Sequence, residues 1–479
     1  MPSLINATLW SSVQRFGGLA IGFVSNLILA RLLSPEDFGV LGLIMVFVGI
    51  SDVLVDGGLG NALIQKKEIF KEDISTVFTT NLLVSIILFL LLFFLAPTIA
   101  AYVNIDKFDF FLRVEAVMVL LKAFYVVHSS LFNREMEFKK LATISLIVNL
   151  ISTIIAIVLA SFRFGVWCLI IRNISLDALT LLCFYFVKRI PLSICISRNS
   201  FKKLFSYGFF VASANIIESL YSNILSFILG KKFSVKDLGY YNQAHSLEQI
   251  PVYSITSILN QVFFPFLSKK QSDQKQMKDD VIRSFEVMSF FLYPLMFFLI
   301  CFAEPIITLL YSEKWLPAVP FFQILCVIGF TNFMYHMNRS VLKAIGDTKL
   351  LFFLQIVICL FGLIMIVNAI RFGIYAVVVA SVLNTTISLI IIAYFTGRRI
   401  QLSFFRQIKA VSLNFLISAL VAISIYWMFS FVNWHYLVVI FLGLLTYVVA
   451  YIVLQYMFGG ASAKLIVSIV YNRIIRKDK

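Results

Sequence analysis

The sequence predicts an all-α integral membrane protein of about 14 transmembrane helices, arranged as two six-helix lobes related by a parallel repeat plus two C-terminal helices. Three observations predict it. Hydrophobic residues make up 61% of the 479 and charged residues 13%, with a mean hydropathy of +0.95, which is too apolar for a soluble globule of this length. Apolar runs of about 20 residues, enough to cross roughly 30 Å of hydrocarbon as a helix, recur with no aqueous domain between them. Finally, the chain repeats itself. Leu33 to Gly39 reads LSPEDFG and Phe233 to Gly239 reads FSVKDLG, while Arg163-Phe164-Gly165-Val166-Trp167 is echoed by Arg371-Phe372-Gly373-Ile374-Tyr375. A duplicated membrane unit of this size is characteristic of transporters.

In chain order, the first copy holds spans near 9–31, 38–56, 77–98, 114–132, 141–161 and 164–187. The second holds spans near 204–229, 239–267, 284–303, 318–342, 350–370 and 373–396, and two more follow at 408–431 and 436–457. The lobes are accordingly 1–190 and 191–403, with 404–479 supplying two helices and a basic tail. The longest polar interruption, Ser268 to Arg283, is too short to fold by itself, as is Lys188 to Lys203. The first span has no basic cluster before it, exceeds a signal-peptide core and belongs to the repeat, so it is expected to be retained. Of the six cysteines (168, 183, 195, 301, 326 and 359), five lie in apolar spans and none form a C-x-x-C pair. They read as core packing, and neither a metal nor another cofactor is expected.

A net charge of +16 would suit nucleic acid if it lay on one face, but the charges sit at helix ends. With loops assigned alternately, the side holding the 2–3, 4–5, 6–7, 8–9, 10–11 and 12–13 loops and the C-terminus carries 27 of the 40 Lys and Arg, the other side 9. The positive-inside rule places the first side, and both termini, in the cytoplasm. Clusters such as Lys202-Lys203, Lys269-Lys270 and Arg398-Arg399 then hold topology and meet anionic headgroups of membrane lipids. Arg15, Lys122, Arg172 and Arg339 remain inside spans.

An even-numbered unit returns to its starting side, so both copies enter the membrane in the same direction, and two such lobes enclose a central cavity for alternating access. Polar residues belong there. In span 1, Ser11, Arg15, Gly18, Gly22 and Ser25 form one stripe at spacings of three and four, and Asn215, Glu218, Ser222 and Ser226 repeat it in span 7. Close helix packing by small residues explains the serines and glycines equally well.

The chain also resembles the polysaccharide transporters of the multidrug/oligosaccharidyl-lipid/polysaccharide exporter superfamily, the Wzx-type flippases. The resemblance rests on LSPEDFG at 33–39, GLGNALIQ at 58–65 and NREMEF at 133–138 in the first copy. In the second it rests on Gly239-Tyr240-Tyr241 with Ala244, Phe264-Pro265, WLPA at 315–318 and LKAIGD at 342–347. It implies a carrier that moves an undecaprenyl-diphosphate-linked oligosaccharide across a bacterial inner membrane, with polysaccharide assembly machinery as a partner. Where the family pattern has an aspartate late in span 7, this chain reads Leu225-Ser226.

Such a cargo needs cations for its diphosphate and polar groups for its sugars. Arg15, Lys122 and Arg172 all belong to the first lobe, and each costs about 2.5–3.5 kcal/mol at mid-membrane unless paired or solvated. The guanidiniums could grip phosphate oxygens in a bidentate fork, with Lys122 as a point charge and Arg339 as a further contact. Asp52, Asp56, Glu115 and Asp177 lie in the same lobe and could neutralise these cations internally. In the second lobe, Glu218, His245 and Glu248 are candidates for coupling to H⁺ or Na⁺. His245 and Glu248 share a helix face, although a satisfied polar pair near the interface fits too.

An enzyme would need convergent acids and bases at a water-exposed face, usually on a sizeable loop, which the chain lacks. The competing transporter class is a small-molecule exporter of the same superfamily, for which 12 spans and an acidic cavity would be expected. The topology is directly measurable. In a variant without native cysteines, Ser272→Cys should react with an impermeant maleimide only in inverted vesicles, and Glu36→Cys only from the outer side; the opposite pattern would reverse the orientation.

Overall fold

The computed structural model describes residues 4–66, 68–188, 190, 193–258, 263, 267, 274–431 and 434–458. Among these residues the secondary structure is helical throughout, with no strand. The first copy is built of α1 (Leu4–Leu32), α2 (Pro35–Asp56), α3 (Leu59–Gln65), α4 (Lys71–Val103), α5 (Phe108–Glu115), α6 (Val117–Arg134), α7 (Phe138–Ser161) and α8 (Val166–Val187). Then follow α9 (Arg198–Lys232), α10 (Val235–Ile258), α11 (Gln274–Cys301), α12 (Ala303–Tyr311), α13 (Val319–Ala344), α14 (Thr348–Ala369), α15 (Ile374–Ile400), α16 (Phe404–Ser430) and α17 (Tyr436–Met457).

Each predicted span has a helical counterpart, the fourth being α5 and α6 in succession; α10 covers the eighth, 239–267, as far as Ile258, and most of its remainder lies outside the described residues. Among the described residues, 11 helices are long and apolar enough to cross a membrane. The other three expected spans fall on α6, α9 and α10, the segments that carry Lys122, Glu218 and the His245–Glu248 pair. Two helices outrun their apolar cores: α4 has 33 residues and α9 has 35. At 1.5 Å per residue they reach about 50 Å, well beyond the hydrocarbon thickness.

The duplicated motif explains itself locally. Pro35 opens α2, where its missing N–H costs nothing. Ser34 Oγ accepts from the Asp37 N–H at 3.3 Å, and Asp37 Oδ2 accepts from the Ser34 N–H at 2.9 Å, closing a capping box. The second copy repeats the first of these bonds, since Ser234 Oγ accepts from the Asp237 N–H at 3.0 Å. The glycines have a different purpose. A Cβ built on Gly39 would collide with the carbonyl oxygen of Val235, and one on Gly239 with that of Pro35. Thus the two copies of the motif cross backbone to backbone, each glycine under the other's first turn. Beside the crossing, Lys236 Nζ lies 3.5 Å from Glu36 Oε1.

Other family motifs also prove structural. Arg134, from NREMEF, donates to the carbonyls of Leu63 and Ile64 at 2.9 and 3.3 Å, supplying partners for the last turn of α3 that the helix itself lacks. Arg399 meets Asp347 of LKAIGD at 2.7 Å, and Trp315 of WLPA is wholly buried.

The chain divides into two compact units, Met1–Asn242 and Gln243–Lys479. The first therefore takes in α9 and the start of α10, which the sequence echoes would group with the second copy; α9 packs along α2. The segment between the copies is tied to α4: Ser193 and Ser75 hydroxyls lie 2.7 Å apart, and the Cys195 and Ser197 N–H groups donate to Thr79 and Thr76 at 3.0 Å.

In the second unit α16 and α17 are fastened to α11 by buried amides and hydroxyls. Asn414 Nδ2 donates to Ser289 Oγ at 2.7 Å and to the Glu286 carbonyl at 2.9 Å. Gln455 Nε2 donates to Asn414 Oδ1 at 2.8 Å, and Tyr451 OH donates to the Phe290 carbonyl at 3.0 Å. Between helices in hydrocarbon such bonds do what apolar burial cannot, because lipid tails are as apolar as leucine.

Gly39→Val should lower stability by about 1–3 kcal/mol or more, because the clashing atom belongs to the backbone and cannot rotate away. The matched control is Gly18→Ala, whose Cβ meets nothing within 4 Å and which gains helix propensity. Thermal unfolding in detergent checks both: a clear drop is expected for the first, none for the second.

Candidate functional site

An ionisable group in a span persists only with a partner, a cavity or a function. In the first unit four helices each turn polar groups inward. Asp52 and Asp56 on α2 are four residues apart, Lys122 and Tyr125 on α6 three apart, and Asn173 and Asp177 on α8 four apart; each pair shares a helix face. Glu115 closes α5, with the α5–α6 break directly after it.

The contacts are specific. Lys122 Nζ lies 2.9 Å from Asp52 Oδ2, both side chains about a quarter exposed. Asp56 and Asp177 are within electrostatic reach of the same ammonium. Tyr125 OH donates to Asp177 Oδ1 at 3.0 Å, and Asn173 Nδ2 donates to Glu115 Oε1 at 2.8 Å. Glu115 is 0% exposed and Asp177 4%. One ammonium thus faces three carboxylates, Asp52, Asp56 and Asp177, and Glu115 lies buried within electrostatic reach of Asp52 and Asp177.

Arg172 occupies the turn before this cluster on α8 and is half-buried. Its obvious rival partner in the sequence, Asp177, accepts from Tyr125 instead, and the Arg172 Nε has no hydrogen-bond partner among the described residues. Arg15 is half-buried on α1, which packs against α7.

The second unit carries the remaining described candidates. His245 and Glu248 are joined through a residue that sequence reading passed over: Gln249 Nε2 lies 3.4 Å from His245 Nε2 and donates to Glu248 Oε2 at 3.2 Å. Glu248 is 0% exposed. On α13, Arg339 Nη1 donates to Tyr335 OH at 3.3 Å, and its guanidinium carbon lies 5.4 Å from that ring's centroid. Tyr335 OH in turn donates to Gln355 Oε1 at 3.3 Å. The side chain of Glu218 lies outside the described residues.

Sequence reading missed the neutral members of these groups: Tyr125, Asn173, Gln249, and the Asn414–Gln455 link on the last two helices. Asn and Gln inside apolar runs were the available signal, since a buried amide in lipid needs partners as an ion does.

Residues 28–320 match the family described as "Polysaccharide biosynthesis protein". The chain is similar to the teichuronic acid biosynthesis protein TuaB of Bacillus subtilis, 25% identical over 437 residues that cover 88% of this chain and 89% of TuaB. It is also similar to the lipopolysaccharide biosynthesis protein WzxC of Escherichia coli, 26% identical over 351 residues covering 72% of this chain and 69% of WzxC. Its fold is that of the lipid II flippase MurJ in an inward closed conformation, with a TM-score of 0.68 and 17% identity over 94% of this chain and 99% of that one. The resemblance and the fold class read from the sequence are both borne out.

The Lys122–Asp52 pair allows a direct test of what each charge contributes. Asp52→Asn and Lys122→Gln should each destabilise, and the double variant should recover part of the loss, with a coupling of about 0.5–3 kcal/mol in a double-mutant cycle of thermal unfolding. Simple additivity would show that the pair does not act as one.

Proposed function

Because the chain belongs to the polysaccharide biosynthesis protein family, we propose that it is the carrier of a polyprenyl-linked glycan. It moves an undecaprenyl-diphosphate-linked oligosaccharide, the repeat unit of an O-antigen, capsule or exopolysaccharide, from the cytoplasmic to the outer leaflet of a bacterial inner membrane by alternating access. The observation that carries this reading is the agreement between relatives named for cell-surface glycan biosynthesis, matched along most of the chain, and a fold shared with a protein named as a lipid II flippase. The reading is of a carrier, not an enzyme. The small-molecule exporter has the fold alone in its favour, shared with a multidrug resistance MATE family transporter at a TM-score of 0.61 and 15% identity, whereas the relatives matched in sequence are named for glycan biosynthesis.

The chemistry of the cargo assigns work to the buried cations. A diphosphate leaving water needs its charge matched, and the planar guanidiniums of Arg15 and Arg172 present paired donors suited to its oxygens. Lys122 would reach phosphate by exchanging one anion for another, its ammonium passing from Asp52 to the cargo. Arg339, held against Tyr335, offers a cation beside an aromatic face, a combination that suits phosphate and sugar alike. Glu218, His245 and Glu248 remain candidates for coupling transport to a proton or sodium gradient, with both termini in the cytoplasm.

Deleting the gene in its host should leave lipid-linked oligosaccharide on the cytoplasmic leaflet and remove the surface glycan, with wild type restoring both. Normal surface glycan in a host without a second carrier would overturn the assignment. At normal protein abundance, Arg15→Ala and Arg172→Ala should lose at least tenfold in rescue, whereas Arg172→Lys, which keeps charge but not the fork, should retain part of it. Full rescue by both alanine variants would make these arginines structural.

A further inference from the structure

The polar cluster around Lys122 in the first unit holds more acid than that lysine can answer. Asp52 on α2 and Asp177 on α8 act electrostatically on Glu115, and Asn173 on α8 bonds to it. Of the helices packed against α5, α2 also carries Asp56, α6 carries Lys122 and Tyr125, and α8 carries Arg172; α4 has ionisable side chains only at its two ends, Lys71, Glu72, Asp73 and Tyr102. Lys122 already spends its charge on Asp52. Asp177 has the Tyr125 hydroxyl, a neutral donor, and Glu115 has the Asn173 amide on Oε1, also a neutral donor.

Glu115 Oε2 and Asp52 Oδ1 are both buried without a hydrogen-bond partner among the described residues. An anion on the wholly buried Glu115 would have the carboxylates of Asp52 and Asp177 beside it, a costly arrangement for a carboxylate. An acceptor with nothing donating to it, in a wholly buried residue, marks the place where something small and positive binds. The group is poorly suited to a metal, since among the described residues no set of three His, Cys, Asp or Glu side chains is arranged to hold one.

We propose that Glu115 is a proton-binding residue of the first unit, carrying the proton on Oε2. The proton comes from the aqueous phase and returns to it. While bound, it cancels one of the adjacent negative charges and turns the orphaned acceptor into a donor facing the carboxylates of Asp52 and Asp177. Asn173 positions the acid by holding Oε1. Loss of the proton restores the excess negative charge beside Lys122, so protonation and the hold of Asp52 on Lys122 are linked through the electrostatics of a single cluster. Coupling then begins beside the cations of the first unit rather than only at His245 and Glu248. That purpose rests on the carrier reading, whereas the protonation itself is measured without any cargo.

The test is infrared spectroscopy of the purified full-length protein in lipid nanodiscs, following the carbonyl stretch of protonated carboxyl groups. At neutral pH a band is expected that fades as pH is raised and is missing from Glu115→Gln. Asn173→Ala, which keeps the acid and removes its donor, should shift the band without abolishing it, and serves in place of Glu115→Gln should that variant not fold. A band unaffected by either substitution, or no band at all, overturns the proposal. Loss of the band on adding sodium at constant pH would also overturn it, by making sodium the ligand. A normal band in a protein whose deletion leaves surface glycan intact would sink the carrier reading and leave the proton site standing.

Discussion

Two stretches of backbone touch where the duplicated motif meets itself, and the rest of the first unit is built around that contact. Only glycine allows it: Gly39 lies against the Val235 carbonyl and Gly239 against that of Pro35. The surrounding residues hold the two crossing turns in shape. Ser34 and Asp37 cap one helix, Ser234 and Asp237 the other, and Glu36 faces Lys236 across the seam. A motif that reads as a signature of duplication is therefore also its own binding partner. With the start of α10 drawn to the start of α2, and α9 lying along α2, the first unit closes beyond the end of the first copy.

Away from the crossing, the scarcity of water governs what is buried. The first unit concentrates charge, with Asp52, Asp56, Glu115, Lys122, Arg172 and Asp177 on helices that turn matching faces to one another. The second unit relies mostly on neutral groups: Asn414, Gln455 and Ser289 bind α16 and α17 to α11, and Gln249 mediates between His245 and Glu248. Neutral amides fasten helices at no electrostatic cost once both ends are satisfied, and so suit a structural role. Charges in hydrocarbon cost more to hold, so the surplus in the first unit is where function is sought first.

Much of this was legible in the sequence. The helical spans and the internal echoes follow from the order of apolar runs and motifs, because a helix crossing hydrocarbon must be long and apolar whatever surrounds it; the count of 14 set beside 11 qualifying helices among the described residues differs at the three segments that carry Lys122, Glu218 and the His245–Glu248 pair. The shared face of His245 and Glu248 follows from a spacing of three, and their bridge was missed because Gln249, four residues from His245 and so on the same side, carries no charge to draw notice. The last two helices read as almost purely apolar, since Asn414 and Gln455 carry no charge to draw notice, yet they hold those helices in place.

The sequence by itself determined what must cross the membrane, the order of the elements, the repeat and the identity of the costly residues, all of which depend on neighbours along the chain. Tertiary structure alone decided the pairings: Lys122 with Asp52, Asp177 with Tyr125 in place of Arg172, Glu115 with Asn173. Those choices turn on a few ångströms between helices distant in sequence, and Coulomb and hydrogen-bond energies change steeply over that range. Residue types limit the possible partners, and packing selects among them.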